Sequence, residues 1–315
     1  MSATEALRTT GVWTWVDAMP AGEAVETAGR IEALGYSTLW LPETTGRDPF
    51  ATVSHLAANT STLTFATGIA NIFNRHPGAM KQSGDSVAEL TGGRFVLGMG
   101  VSHAPMVAGL RQLDYSKPLS QMVTYLDAME QSPYTGPSAD EAPLRVLAAL
   151  GPKMLALAAE RSDGAHPYWT TPEHTAMAAE ILGPDGAHPY WTTPEHTAMA
   201  AEILGPDKLL CVEQKVVLST DATAAREAGA TQLARYKALP NYRNNWKRMG
   251  YTEEQIEHNE PSFVDAVVAW GTADQIQERI DAHYAAGATH VCIQPVSVEG
   301  PTVMDWECLE ALAPS

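Results

Sequence analysis

Residues 76–100 read HPGAMKQSGDSVAELTGGRFVLGMG. The first eighteen, 76–93, have the pattern of a helix, and RFVLGMG (94–100) that of a short apolar β-strand. The same rhythm extends both ways. Upstream, TGVWTWVDA (10–18) is β-rich, with Val12, Thr14 and Val16 on one face and Trp13 and Trp15 on the other. A helix over 21–35 carries the stripe Ala24, Ala28, Ile31, Leu34 and stops at Gly35. YSTLWLPE (36–43) is a strand, 48–60 a helix with Pro49 in its first turn, and TLTFATGIAN (62–71) a strand. Downstream come a helix (117–130), a strand (144–150), a helix (151–164), a strand (208–219) and a long helix (221–239). Residues 240–262 read as polar and irregular, and a helix (272–287) and a strand (288–296) follow.

Strands alternating with helices imply a parallel sheet with crossover helices. Eight strands, counting one duplicated segment once, imply a closed (β/α)8 barrel, the TIM-barrel architecture. An open doubly wound sheet is the alternative, weakened by the lack of a GxGxxG turn after the first strand. Residues 1–315 read as a single domain. The one Pro/Gly/Ser-rich break, SPYTGPSADEAP (132–143), suggests a surface loop.

A formal charge of −17 argues against nucleic acid and against anionic membrane surfaces, both of which select clustered Lys and Arg. It suits a soluble surface kept apart by self-repulsion. No apolar run reaches the roughly 20 residues of a membrane span. The start, MSATEALRTT, does not read as a signal peptide. Cys211, Cys292 and Cys308 form no CxxC pair, which fits a reducing cytoplasm.

One segment, DGAHPYWTTPEHTAMAAEILGP, occupies 163–184 and again, unchanged, 185–206. Each copy is a βα unit: a strand DGAHPYW, then Thr171-Pro172-Glu173 as helix start and Gly183-Pro184 as stop. Identity without drift points to a recent or artificial duplication rather than an evolved array. A ninth barrel strand would alter radius, tilt and core layers together, at a cost on the order of a few kcal/mol for each badly filled site. Looping out one copy costs only about 0.6 kcal/mol per doubling of loop length. Eight strands with one extruded copy is the expected outcome, and the sequence does not say which copy is seated. The histidines of the segment (His166, His174, His188, His196) lack metal-ligand spacing, so no metal site is expected.

In such a barrel, ligands sit at the carboxyl ends of the strands. That rule selects Glu43 after the second strand and Gly68 and Asn71 after the third. It also selects Gly98, Gly100, Ser102 and His103 after the fourth, and Gly151 and Lys153 after the fifth. Gly151-Pro152-Lys153 opens a helix, where free amides plus a lysine attract an anion. It is equally a well-made helix start and nothing more. Glycines in LGMGVSH let a flat ligand approach the backbone, or simply permit a turn. Glu43 and His103 are each either catalytic or structural, and Trp13 and Trp15 either line a pocket or fill the barrel.

The stretch RHPGAMKQSGDSVAELTGGRFVLGMGVSH (75–103) resembles the signature of the bacterial luciferase-like flavin and deazaflavin enzymes. Residues 35–43, 67–71, 149–164 and 268–295 resemble other segments of that family in the same order, so the likeness spans nearly the whole chain. The overall pattern looks closest to the F420-dependent oxidoreductases. The resemblance implies hydride chemistry with coenzyme F420, or FMN, on a small organic substrate. A cofactor-free ligand-binding barrel is the competing class. It places Gly68, Ile69 and Ala70, with Asn71, behind the cofactor ring. Gly98, Gly100, Val101 and Ser102 lie beside it, and phosphate sits on Gly151, Pro152, Lys153 and Met154. Tyr168 and Trp169 of the first copy, or Tyr190 and Trp191 of the second, would lie near the cofactor tail and substrate, with Trp13 and Trp15. Where many F420 members carry Asp-His, this chain has Glu43-Thr44, so Glu43, with His103 as the alternative, is the expected proton donor. The likeness also hints at a homodimer. Deleting residues 185–206 is expected to leave soluble, folded protein, read by size-exclusion chromatography and thermal melting; loss of soluble protein would count against extrusion.

Overall fold

The computed structural model describes residues 2–182 and 208–314. Its strands are β1 (Thr10–Trp13), β2 (Thr38–Leu41), β3 (Thr64–Thr67), β4 (Ala70–Asn71) and β5 (Phe95–Gly100). They continue with β6 (Leu144–Leu147), β7 (Gly164–Ala165), β8 (Leu209–Leu218), β9 (Val268–Gly271) and β10 (His290–Pro295). Strands β1, β2, β3, β5, β6, β7, β8 and β10 form a closed parallel ring, because β10 pairs with both β8 and β1. This is the (β/α)8 barrel. The short β4 extends β3 beside the end of β5, and β9 pairs outside the ring with β8.

Both faces of the ring strands are covered, so most read as unbroken apolar runs. Alternate residues feed two clusters. Val12, Leu39, Phe65, Phe95, Leu97 and Leu147 pack outward among the helices. Trp13, Trp40, Ala66, Val96, Val146 and Cys211 belong to a second cluster filling the barrel. Gly98 stands where a Cβ would come within 2.0 Å of the Thr67 carbonyl oxygen, so only glycine lets these strands close up.

The structure corrects the reading of 240–262, which holds three helices: Pro240–Arg248, Glu253–Glu257 and Pro261–Val267. Proline opens the first and third, and a Thr252/Gln255 capping box opens the second. Buried Tyr242, Trp246, Ile256 and Phe263 anchor them, an apolar set sparse enough to be hidden in a polar stretch. The strand read over 62–71 is split by residues 68–69.

The first copy of the duplicated segment fills the sixth barrel position. Gly164 and Ala165 pair with β6 on one side and with Leu209 and Leu210 of β8 on the other. Only those two residues of DGAHPYW form ladder pairs, and the helix Pro172–Leu182 follows. The second copy, with Tyr190 and Trp191, lies outside the described residues. No helix among the described residues is long and apolar enough to cross a membrane.

Histidines are buried in this core. His166 donates from Nδ1 to the Cys211 carbonyl oxygen (2.8 Å) and stacks on Trp40 at 4.4 Å. His290 Nε2 lies 3.0 Å from both Thr38 Oγ1 and Trp40 Nε1. His283 lies between Thr175 Oγ1 (2.7 Å) and Gln214 Oε1 (2.9 Å). Burial pushes His166 down to about 4, and His283 and His290 down to about 3. In the unfolded chain each titrates near 6.5. As pH falls below that value the unfolded state takes up protons that the folded state refuses. Stability should therefore be full above about pH 6.5 and decline toward pH 4, by roughly 1.4 kcal/mol per pH unit for each histidine. Urea unfolding at pH 7, 6 and 5 checks this: the midpoint should drop at each step, and an unchanged midpoint would refute it.

Candidate active site

A cavity of about 1400 Å³ opens at the carboxyl ends of the ring strands. That is more than a drug-sized ligand needs, and is room for a cofactor and a substrate together. Its walls come from successive strand ends: Trp13 and Trp15 after β1, Glu43 and Thr44 after β2, Gly68 and Ile69 after β3. Val101, Ser102 and His103 follow from β5, residues 151–154 from the end of β6, and His166 and Tyr168 from β7.

One wall is the bulge at Gly68-Ile69, whose peptide bond is cis. Trp13 Nε1 donates to the Gly68 carbonyl oxygen (3.1 Å), and a Cβ on Gly68 would lie 2.6 Å from that same nitrogen. The missing side chain is therefore what lets the indole seat against the backbone. Beside it, Glu43 is nearly buried, its side chain 7% exposed, and fully engaged. Arg75 grips both its oxygens, at 2.9 and 2.5 Å, and the Asn71 amide donates to it at 2.6 Å. Arg75 also reaches Asp48 Oδ2 at 2.9 Å, at the start of the next helix. Burial opposes the Arg75 charge, but Glu43 and Asp48 outweigh it and hold its pKa above the usual value. The Glu43 carboxylate thus ties the end of β2 to the bulge and to Arg75.

The opposite corner is cationic. Gly151 caps the helix Pro152–Arg161 without any side chain accepting from its first amides. Arg248 Nη2 stands 3.4 Å from where a Gly151 Cβ would be. Arg248, Lys153 and Arg235 all line the cavity, and none has a carboxylate partner among the described residues. Burial lowers the Arg248 pKa, so an anion here would restore favourable charge pairing. Pro152 has no N–H and the Met154 amide already donates to the Gly151 carbonyl (3.0 Å), so the Lys153 amide, the helix N-terminus and the Lys153 and Arg248 side chains are the donor set that suits a phosphate.

His103 lies on the wall near Tyr242, ring centroids 5.4 Å apart. Burial pushes its pKa down to about 4 against the pull of a hydrogen bond with Asn241, and its Nδ1, itself buried, has no partner among the described residues. It is a neutral imidazole facing the cavity at pH 7.

Of the sequence-selected residues, Trp13, Trp15, Glu43, Gly68, Ile69, Val101, Ser102, His103, Gly151, Pro152, Lys153, Met154 and Tyr168 share this cavity. Five do not reach its wall. Ala70 and Asn71 are buried behind the bulge, and the Asn71 side chain accepts from the Phe73 amide (3.0 Å). Gly98 is inside the barrel wall. Gly100 gives way to Ile69, whose side chain would stand 2.8 Å from a Cβ there. Trp169 is 1% exposed beneath the floor, where Trp246 Nε1 donates to its carbonyl oxygen (3.2 Å). Arg248, Arg235, His166 and Gln294 escaped the sequence reading, as did the ion pair of Glu213 and Lys215. The last carries a signal: CVEQKVVL places two opposite charges two residues apart, around Gln214, inside an apolar run.

These elements define a (β/α)8 barrel with a ligand cavity cornered by cations. The family model described as luciferase-like monooxygenase matches residues 4–290, and the chain belongs to that family. It is an enzyme of oxidoreductase type. A Mycobacterium tuberculosis protein named "Putative coenzyme F420-dependent oxidoreductase" is 25% identical over 341 aligned positions, covering 92% of this chain and 94% of the relative. The coenzyme F420-dependent tetrahydromethanopterin reductase of Methanopyrus kandleri has the same fold, with a TM-score of 0.73 at 17% identity over 96% of each chain. So does the oxygenating constituent of 3,6-diketocamphane monooxygenase from Pseudomonas putida in complex with FMN, with a TM-score of 0.68 at 16% identity over 97% of each chain.

Proposed function

We propose that this enzyme transfers hydride between coenzyme F420 and a small organic substrate. The observation that carries the reading is the pairing, in one cavity, of the Gly68-Ile69 bulge with a helix start that has no side-chain cap and is flanked by Lys153 and Arg248. A cofactor with a flat ring and a phosphate-bearing tail fits both ends, and the M. tuberculosis relative is named for that cofactor. When bound, F420 supplies a ring carbon that carries two electrons as hydride.

The protein's share is binding, orientation and proton handling. The Lys153 amide at the helix start, with the Lys153 and Arg248 side chains, holds the anionic tail. Residues 68–69, backed by Trp13, give the ring a flat support. Trp15 and Tyr168 add apolar wall and exclude water. Glu43, expected from sequence to be the proton donor, has both oxygens committed to Arg75 and Asn71, so its role is to fix the bulge. His103 lines the cavity as a neutral imidazole, so its share in proton handling is that of an acceptor.

The FMN-bound P. putida neighbour supports a second reading, a flavin monooxygenase, because FMN's phosphate suits the same corner. Titrating the purified protein separately with F420 and FMN, followed by fluorescence, decides between them. F420 should bind more tightly, and Lys153→Ala should weaken it about tenfold, the cost of roughly one charge-assisted hydrogen bond. Tighter binding of FMN would favour the monooxygenase, and binding of neither would end the proposal.

A further inference from the structure

Below the cavity floor, β8 carries an ion pair that the cofactor reading leaves unused. Glu213 and Lys215 both have side chains with no exposure, and Lys215 Nζ lies 3.0 Å from Glu213 Oε1. Burying two charges carries a desolvation cost that hydrophobic residues would avoid. The pair leads directly to the cavity. Lys215 Nζ lies 2.8 Å from Gln294 Oε1, and Tyr168 donates to that same oxygen at 3.0 Å. Tyr168 and Tyr236 hydroxyls are 3.0 Å apart, and Tyr168, Tyr236 and Gln294 all line the cavity. The lysine nitrogen also sits over the Tyr168 and Trp169 rings, at 4.1 and 4.0 Å.

The direction of each hydrogen bond follows from this chain. An ammonium only donates, so Gln294 must turn its oxygen, not its NH2, toward Lys215. That oxygen accepts from Lys215 and also receives the Tyr168 proton. With its own proton spent, the Tyr168 oxygen can only accept from Tyr236. The Tyr236 proton is then spent as well, and what Tyr236 offers the cavity is a lone pair. Burial lowers Lys215 to about 8 and raises Glu213. Even with the shared proton on Glu213, a Lys215 N–H still donates to Gln294, so the sense of the chain is preserved.

We propose that Lys215, acting through Gln294, is a positioning residue. It fixes the polarity of Tyr168 and Tyr236 so that this wall presents a hydrogen-bond acceptor and selects substrates bearing a hydroxyl or N–H group. The proposal deepens the oxidoreductase reading and rests on it for calling this ligand a substrate. Its chemistry is read in binding alone.

Cyclohexanol and cyclohexanone, alike in shape and opposite in hydrogen-bond role, serve as probes, with affinities measured by saturation-transfer NMR on the cofactor-free protein and again with F420 added. The wild type should favour the alcohol. Tyr168→Phe releases the Tyr236 proton toward the cavity, so the alcohol-to-ketone ratio should fall about fivefold, the worth of one net hydrogen bond. The double variant Glu213→Gln/Lys215→Met, which strands no lone charge, frees Gln294 to turn over and should lose the preference. Tyr168→Phe keeps the idea testable if that double variant does not fold. A wild type that binds neither probe, or favours the ketone, overturns the proposal. So does a ratio unmoved by Tyr168→Phe, the result a purely structural tyrosine would give. Failure of F420 to bind appears in its own titration and leaves the ratio on the cofactor-free chain readable.

Discussion

The pairing of β10 with both β8 and β1 is the constraint on which the rest depends. Six consecutive residues, His290 to Pro295, pair in register with Cys211 to Val216, while Thr10, Gly11 and Val12 hold the other edge. Closure leaves no free edge in the ring and points every ring strand the same way. Segments far apart in sequence then end at one mouth: the bulge after β3, the helix start after β6 and the aromatic residues after β1 and β7. The site is a consequence of closure before it is a consequence of any single side chain.

Closure also explains what fills the interior. A ring of eight strands leaves room for side chains but not for water, so polar groups within it must find one another. Trp40 bonds Thr38 and His290, His166 bonds the Cys211 carbonyl, and Lys215 bonds Glu213 and Gln294. This polar lattice runs up to the cavity floor through Tyr168. At the far side the charge pattern reverses. A chain of net charge −17 keeps Lys153 and Arg248 at one corner of its cavity without a carboxylate partner among the described residues, where a low-dielectric wall strengthens their pull on an anion.

The architecture was legible because its signals are long. Alternating helix and strand patterns name a parallel barrel without any side-chain detail, and the strand-end rule placed Glu43, Gly68, His103 and Lys153 around one cavity. The rule fails one residue away. Along a strand, neighbours face opposite sides, so the ends of β4 and β5 send some residues to the mouth and others behind it. Asn71 fell behind the bulge, Gly98 and Gly100 face inward with Val96 but are covered by Thr67 and Ile69, and Trp169 lies under the floor while adjacent Tyr168 lines it. The ion pair of Glu43 was unreadable because its partner Arg75 lies 32 positions away and meets it only once β2 and the bulge after β3 lie side by side. Arg248 was hidden for a similar reason: its helix is short, polar and held by two aromatic anchors, and nothing in its sequence points toward Gly151.

The most direct measurement is a crystal structure of the protein soaked with coenzyme F420. The barrel-mouth account predicts the cofactor phosphate within hydrogen-bond reach of the Lys153 amide and side chain, with the deazaflavin ring lying against Gly68 and Ile69. Density placing the phosphate elsewhere, or the ring outside the mouth of the strand ring, would contradict it.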